Sequence, residues 1–189
     1  VPIRSHMFVR GIRGIWACSN PKCTDAPDRS KPVPIGRLFA SPQAHCKCGG
    51  RILELLLCYV CGEVSLGGFV VEVSGERLLQ ATPLNTSGDG VSPPYRRPFE
   101  EFAWYSPYPD KVDFNAKIPS HDAVQFGFST ASYNPLTGHL SDGGNPTGVI
   151  LKYSGNPPEG GKVPALPEKC PCCDQATGMN TTKKTFFSP

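Results

Sequence analysis

The chain has 189 residues, room for one ordinary domain or one domain carrying a large insertion. Twenty glycines and 21 prolines against 43 Leu, Ile, Val and Phe residues leave little scope for long helices and only a thin apolar core, and no apolar run is long enough to span a membrane. A net charge of +3 does not by itself demand a nucleic-acid partner, but residues 1–61 carry nine Lys/Arg against three Asp/Glu while residues 62–140 carry five against nine. A basic end and an acidic middle point to two surfaces with different partners, the basic one suited to phosphates. The chain opens at Val1 in mid-pattern and without a charged-then-apolar leader, so a piece of a longer cytoplasmic protein is expected.

Taken in chain order, residues 1–17 alternate apolar and polar positions at Ile3, Phe8, Ile12 and Trp16, which predicts one or two short strands turning at Gly11 or Gly14. Residues 18–50 are turn-rich. Residues 51–58 and 66–73 read as two strands flanking a Cys-Gly turn, a zinc-ribbon hairpin in which metal replaces the core so short a sheet cannot build. From Ser74 to Gly161 there is no cysteine, and Pro, Gly and aromatic residues dominate. A short helix is expected around Glu76–Gln80. Residues 93–110 (PPYRRPFEEFAWYSPYPD) read as an ordered irregular loop packed by its own rings, with a peptide- or base-stacking platform as the sharper alternative. Residues 139–148 read as the tip of a hairpin. The expected fold is β-rich, a small irregular α+β domain of zinc-ribbon-like hairpins with a long insertion. Its parts are 1–73, a basic strand element and ribbon; 74–161, the irregular insertion; and 162–189, a second zinc knuckle and tail.

Nine cysteines in close pairs favour metal over a disulfide framework. Short spacings let one tight turn present two sulfurs to the same ion. Four pairs stand in the chain: Cys18/Cys23, Cys46/Cys48, Cys58/Cys61 and Cys170/Cys173. Grouping neighbours gives one site of Cys18, Cys23, Cys46 and Cys48. A second, of Cys58, Cys61, Cys170 and Cys173, closes across the 108 residues between its two CxxC knuckles. Cys172 is the spare, and His45, which is also spaced by two residues from Cys48, is an alternative to Cys46. Full four-thiolate shells imply two structural Zn2+ ions, not catalytic ones. His6, His121 and His139 are isolated.

No GxxxxGK[ST] loop, HExxH, GxSxG or facing carboxylate pair occurs, so no catalytic residue is assigned. Two alternatives to a nucleic-acid role stay open. One is a freestanding zinc-ribbon adaptor that binds a protein through the acidic, aromatic middle; the other is an enzyme with an incomplete metal shell at His45 or Cys172.

Pro2, Arg4, His6, Phe8 and Arg10 are followed by Gly14, Trp16 and Cys18. The pattern continues through Cys23, Ile35-Gly36-Arg37-Leu38, Cys46-x-Cys48-Gly49, Leu53-Glu54-Leu55 and Cys58-x2-Cys61-Gly62, and resumes at Cys170 and Cys173. These residues give the N-terminal third a resemblance to a region of large bacterial superfamily-2 DEAD/DEAH-box DNA helicases, the MrfA-like repair helicases and the phage-defence helicases of Druantia and DISARM type. The resemblance implies an accessory zinc-binding part of an ATP-dependent helicase in DNA repair or antiviral defence. The partners would be DNA and RecA-like lobes of the same polypeptide, and ATP and magnesium would be bound only in those lobes. Arg4, Arg10, Arg13, Lys31 and Arg37 would meet DNA phosphates, and Trp16 would stack on an unpaired base. The middle hardly shares the likeness and is expected to be an insertion peculiar to this chain.

Overall fold

A computed structural model describes residues 14–27, 33–58, 60–83, 99–115, 124–143, 145–155, 165–167 and 169–174. The strands expected within residues 1–13, and with them Arg4, Arg10, Arg13, His6 and Phe8, lie outside the described residues, as do Lys31 and His121. Nine strands form one antiparallel system: β1 (Trp16–Cys18), β2 (Leu38–Phe39), β3 (Ile52–Leu57), β4 (Val64–Val73), β5 (Glu76–Gln80), β6 (Phe102–Ser106), β7 (Gln125–Tyr133), β8 (His139–Asp142) and β9 (Gly148–Ser154). The described residues hold no α-helix, only a 3-10 turn at Pro109–Lys111, and no helix long and apolar enough to cross a membrane.

Six of the strands close into a barrel in the order β4-β5-β8-β7-β9-β6, with β6 returning to pair with β4. The ten-residue β4 makes this possible. Its first half pairs with β3, from Val64 opposite Leu57 to Gly67 opposite Glu54, and its second half with β5, from Phe69 opposite Gln80 to Val73 opposite Glu76. Its other edge pairs with β6. The sheet therefore splits, with β3, β1 and β2 extending from the barrel as a side layer. Gly67, at the split, leaves space for the ring of Phe102 and the side chain of Leu56, both of which a Cβ there would strike.

The expected helix at 76–80 is strand β5. Val73 and Glu76 face each other across a two-residue turn in which Ser74 (φ 53°) and Gly75 (φ 80°) are both left-handed, as a tight hairpin with the twist of its strands requires. The expected hairpin tip at 139–148 is also corrected. β8 and β9 lie on opposite sides of β7, so the chain changes sides of that strand between Asp142 and Gly148. The true hairpin is β7–β8, turned at Asn134, whose Oδ1 accepts the backbone N–H groups of Leu136 and Thr137. The second half of 93–110 is not an irregular loop but β6. Phe102, Trp104 and Tyr105 are buried there and cannot serve as a stacking platform.

The barrel interior is filled by Leu66, Leu79, Tyr105, Ala131, Tyr133, Leu140 and Ile150, and continues into Ala17, Ile35 and Leu53 of the side layer. A second cluster of Leu56, Trp104, Val112, Val149 and Leu151 lies apart from it, with Leu166 against it. Trp104 Nε1 donates to Ser65 Oγ at 2.9 Å, which satisfies a buried donor. The side layer is tied to the barrel by polar contacts: Arg51 N–H donates to the Pro135 carbonyl at 2.7 Å, and the Ser19 and Tyr133 hydroxyls pair at 3.0 Å.

Candidate metal centres

Each cysteine pair sits on a turn whose backbone bonds aim both sulfurs the same way. In the 46–50 turn, Gly49 N–H donates to the Cys46 carbonyl at 2.9 Å and Cys46 N–H to the Gly50 carbonyl at 2.8 Å. The 58–62 turn between β3 and β4 repeats the pattern, with Gly62 N–H donating to the Cys58 carbonyl at 2.8 Å. Asp174 N–H reaches the Cys170 carbonyl at 2.9 Å in the third knuckle, and Asp174 takes the left-handed conformation (φ 53°) that Gly49 and Gly62 take in the others. Cys18 ends β1, and the Asn20–Cys23 turn brings Cys23 back beside it.

Cys18, Cys23, Cys46 and Cys48 bring their sulfurs within 4.8 Å of one another, and so do Cys58, Cys61, Cys170 and Cys173. The closest approaches are Cys18 to Cys48 at 3.5 Å and Cys23 to Cys46 at 3.6 Å in the first cluster. In the second they are Cys58 to Cys173 at 3.8 Å and Cys61 to Cys170 at 3.7 Å. All nine cysteines are free of disulfides. Metal–sulfur bonds of ~2.3 Å in a tetrahedron put sulfurs about 3.8 Å apart, so both clusters have the dimensions of a four-thiolate shell. The space for these sulfurs is kept open by glycines. A Cβ at Gly50 would stand 2.6 Å from Cys18 Sγ, and one at Gly36 would stand 2.8 Å from Cys23 Sγ.

The electrostatics also favour a cation. In the first cluster burial pushes the Cys18 thiol up, and burial with neighbouring thiols pushes Cys46 up to about 11. Burial acts on Cys23 in the same sense but is outweighed by backbone N–H groups at Arg37 and Asp25 and by the Cys48 thiol, which hold it down at about 7. In the second, burial raises Cys61 to about 12. For Cys58 burial is outweighed by the backbone N–H groups of Cys61 and Val60, and its thiol is lowered. Four sulfurs this close cannot all carry charge unaided, and a divalent cation at their centre removes the conflict. The donor set, spacing and charge therefore fit a metal ion at each cluster.

Of the two alternatives at 45 and 46, Cys46 supplies a sulfur to the first cluster, whereas His45 is exposed and pairs its backbone with Arg51. Cys172 stays out of the second cluster. Arg37 rests one guanidinium nitrogen on both oxygens of Asp25 at 3.0 and 3.1 Å, and Asp25 Oδ2 lies 3.7 Å from Cys46 Sγ. The guanidinium also sits over the Phe39 ring and is about half exposed. Trp16 is half-buried against Cys18, Cys46 and Ile52. Sequence reasoning missed Asn20, whose Nδ2 donates to Cys48 Sγ at 3.8 Å and whose Oδ1 accepts Lys22 N–H. Its signal was an Asn two residues beyond a predicted ligand, the pattern of an Asx turn.

Cys61 is exposed, while no thiol of the first cluster is. Titrating the metal-loaded protein with a thiol-alkylating reagent should therefore modify the second cluster first, with peptides bearing Cys58, Cys61, Cys170 and Cys173 labelled before those bearing Cys18 and Cys46. Mass spectrometry of the digested protein reads the order. Simultaneous labelling would refute the difference in protection.

A family described as the YjiV N-terminal domain matches residues 38–187, and the chain belongs to it. The match runs through residues 74–161. The Druantia protein DruE of Escherichia coli (strain UMEA 4076-1) is 38% identical over 73 residues, 37% of this chain. The chain spans only 4% of that relative's length. No solved structure matches it significantly.

Proposed function

We propose that this member of the YjiV N-terminal domain family is the zinc-binding accessory part of an ATP-dependent DNA helicase of a phage-defence system. What carries this reading is the 38% identity with a Druantia protein, supported by the helicase resemblance of residues 2–62 and by two four-cysteine clusters. Zn2+ is the ion the donor sets suit best, because thiolate-only tetrahedral shells select it over magnesium or calcium. With four thiolates around each ion no position remains for water, so the metals supply rigidity rather than chemistry. Arg4, Arg10, Arg13, Lys31 and Arg37 contribute charge toward DNA phosphates, and ATP hydrolysis belongs to RecA-like lobes elsewhere in the polypeptide.

A rigid element beside a motor converts translocation into strand separation only while it holds its shape. In the full-length protein, Cys46→Ser should therefore lower strand displacement by about tenfold or more while changing ATP hydrolysis without DNA by no more than about twofold. Both are measured on one preparation with a tailed duplex. A full-length protein with no DNA-stimulated ATP hydrolysis would sink the helicase assignment.

A further inference from the structure

Where the first cysteine cluster meets the barrel, a cleft of about 560 Å³ opens between the 20–22 turn and the β7–β8 hairpin. The turn contributes Lys22 to the lining and the hairpin contributes Asn134, His139, half-buried Pro135 and exposed Leu136. No carboxylate lines it. Lys22 has no ion-pair partner among the described residues, and Asn134, having committed its Oδ1 to the hairpin turn, has its amide N–H2 left to donate. The cleft walls are stiff. Asn20 is fixed to both Cys48 Sγ and Lys22 N–H, Arg51 joins the hairpin at the Pro135 and Thr137 carbonyls, and Leu136 lies against the 46–50 turn.

We infer that this cleft binds one nucleotide of single-stranded DNA, its phosphate held by Lys22, His139 and the Asn134 amide and its sugar or base resting on Pro135 and Leu136. A set rich in donors with no acid beside it selects an anion. Pro135 and the exposed Leu136 add an apolar contact that a bare phosphate does not use but a nucleotide does. A duplex keeps its bases stacked inside and cannot offer one to a recess, whereas a strand released by a motor can. Resting on the helicase reading, this inference names the strand contact that the basic N-terminal residues alone do not.

The test is fluorescence anisotropy of the full-length protein with a labelled oligothymidylate and a duplex of equal length, across a salt series. The double variant Lys22→Glu/His139→Ala should weaken binding of the single strand about tenfold and flatten its salt slope by about 1. Leu136→Ala should weaken it a few-fold with the slope unchanged, since it removes an apolar contact. Metal content of each variant, read by native mass spectrometry, should equal that of the parent and so exclude damage at the neighbouring Cys23. Unchanged affinity and slope for the single strand would overturn the cleft while leaving the helicase reading intact. An equal loss on the duplex would overturn the single-strand assignment. A parent protein that binds neither probe would overturn both the cleft and the helicase reading.

Discussion

Replacing Cys18 by serine is expected to remove one of two bound metals and lower the melting temperature by on the order of 10 °C. Cys18 is fully buried at the end of β1, and its sulfur is one corner of the first cluster. The surrounding packing has little else. Its buried members are Cys18, Cys46 and Ile52, with Trp16, Cys23, Phe39 and Cys48 against them, so the thiols themselves are most of the small core. Without metal that side layer has too little apolar surface to hold β1 and β2 in register. Structural zinc contributes about 10–16 kcal/mol in small zinc-finger peptides, as much as the net stability of an ordinary domain. The barrel has its own interior, so far-UV circular dichroism should retain most of its strand signal while the side layer melts early. Cys172→Ser makes the same chemical change outside both clusters and should keep both metals. Native mass spectrometry separates the cases, and a Cys172→Ser protein that loses a metal would mean the second cluster is grouped wrongly.

Local chemistry was what the sequence displayed most plainly. The cysteine pairs and their grouping could be read because knuckle spacing is a short-range property, and the hairpin of β3 and β4 followed from its Cys-Gly turn. The barrel was hidden because it depends on one long strand shared between two neighbours. Nothing in Val64–Val73 announces that its first half belongs to β3 and its second to β5. The β5 segment Glu-Arg-Leu-Leu-Gln has helix-forming residues, and tertiary pairing with β4 overrides them. The Ser74-Gly75 turn was the available signal, a two-residue connection that demands positive φ at both positions. Density of proline around 93–110 drew attention away from Phe102–Ser106, whose alternation is blurred because all but Ala103 are buried. The described residues of the middle nonetheless hold strands β5 to β9. The cleft beside the first cluster was illegible for another reason: Lys22 and His139 are 117 positions apart and line one cleft only through the fold.

Closure of the barrel rests on a narrow seam, and Gly148→Ala should break it at a cost of about 3 kcal/mol or more. Only two registered pairs join β6 to β9, Tyr105 with Ile150 and Ser106 with Val149. Gly148 begins β9 beside them. A Cβ there would strike the Ser106 backbone carbonyl and lie 2.6 Å from two atoms of the Tyr105 ring. Neither can yield cheaply. The carbonyl belongs to the seam itself, and the ring is wedged against Tyr133 with its hydroxyl paired to Thr147 Oγ1 at 2.9 Å. Thr147 in turn accepts the Tyr133 N–H at 2.8 Å, so displacing Tyr105 also disturbs the crossing that links β8 to β9. Gly127 of β7 is the matched control, because a Cβ there meets nothing within 4 Å and its backbone is not left-handed. Gly127→Ala should change stability by no more than about 0.5 kcal/mol. Urea melts of the metal-loaded proteins, followed by far-UV circular dichroism, measure both. Equal midpoints for the two variants would mean that β6 and β9 do not close the barrel as described; a large shift confined to Gly148→Ala locates the seam where those two strands meet.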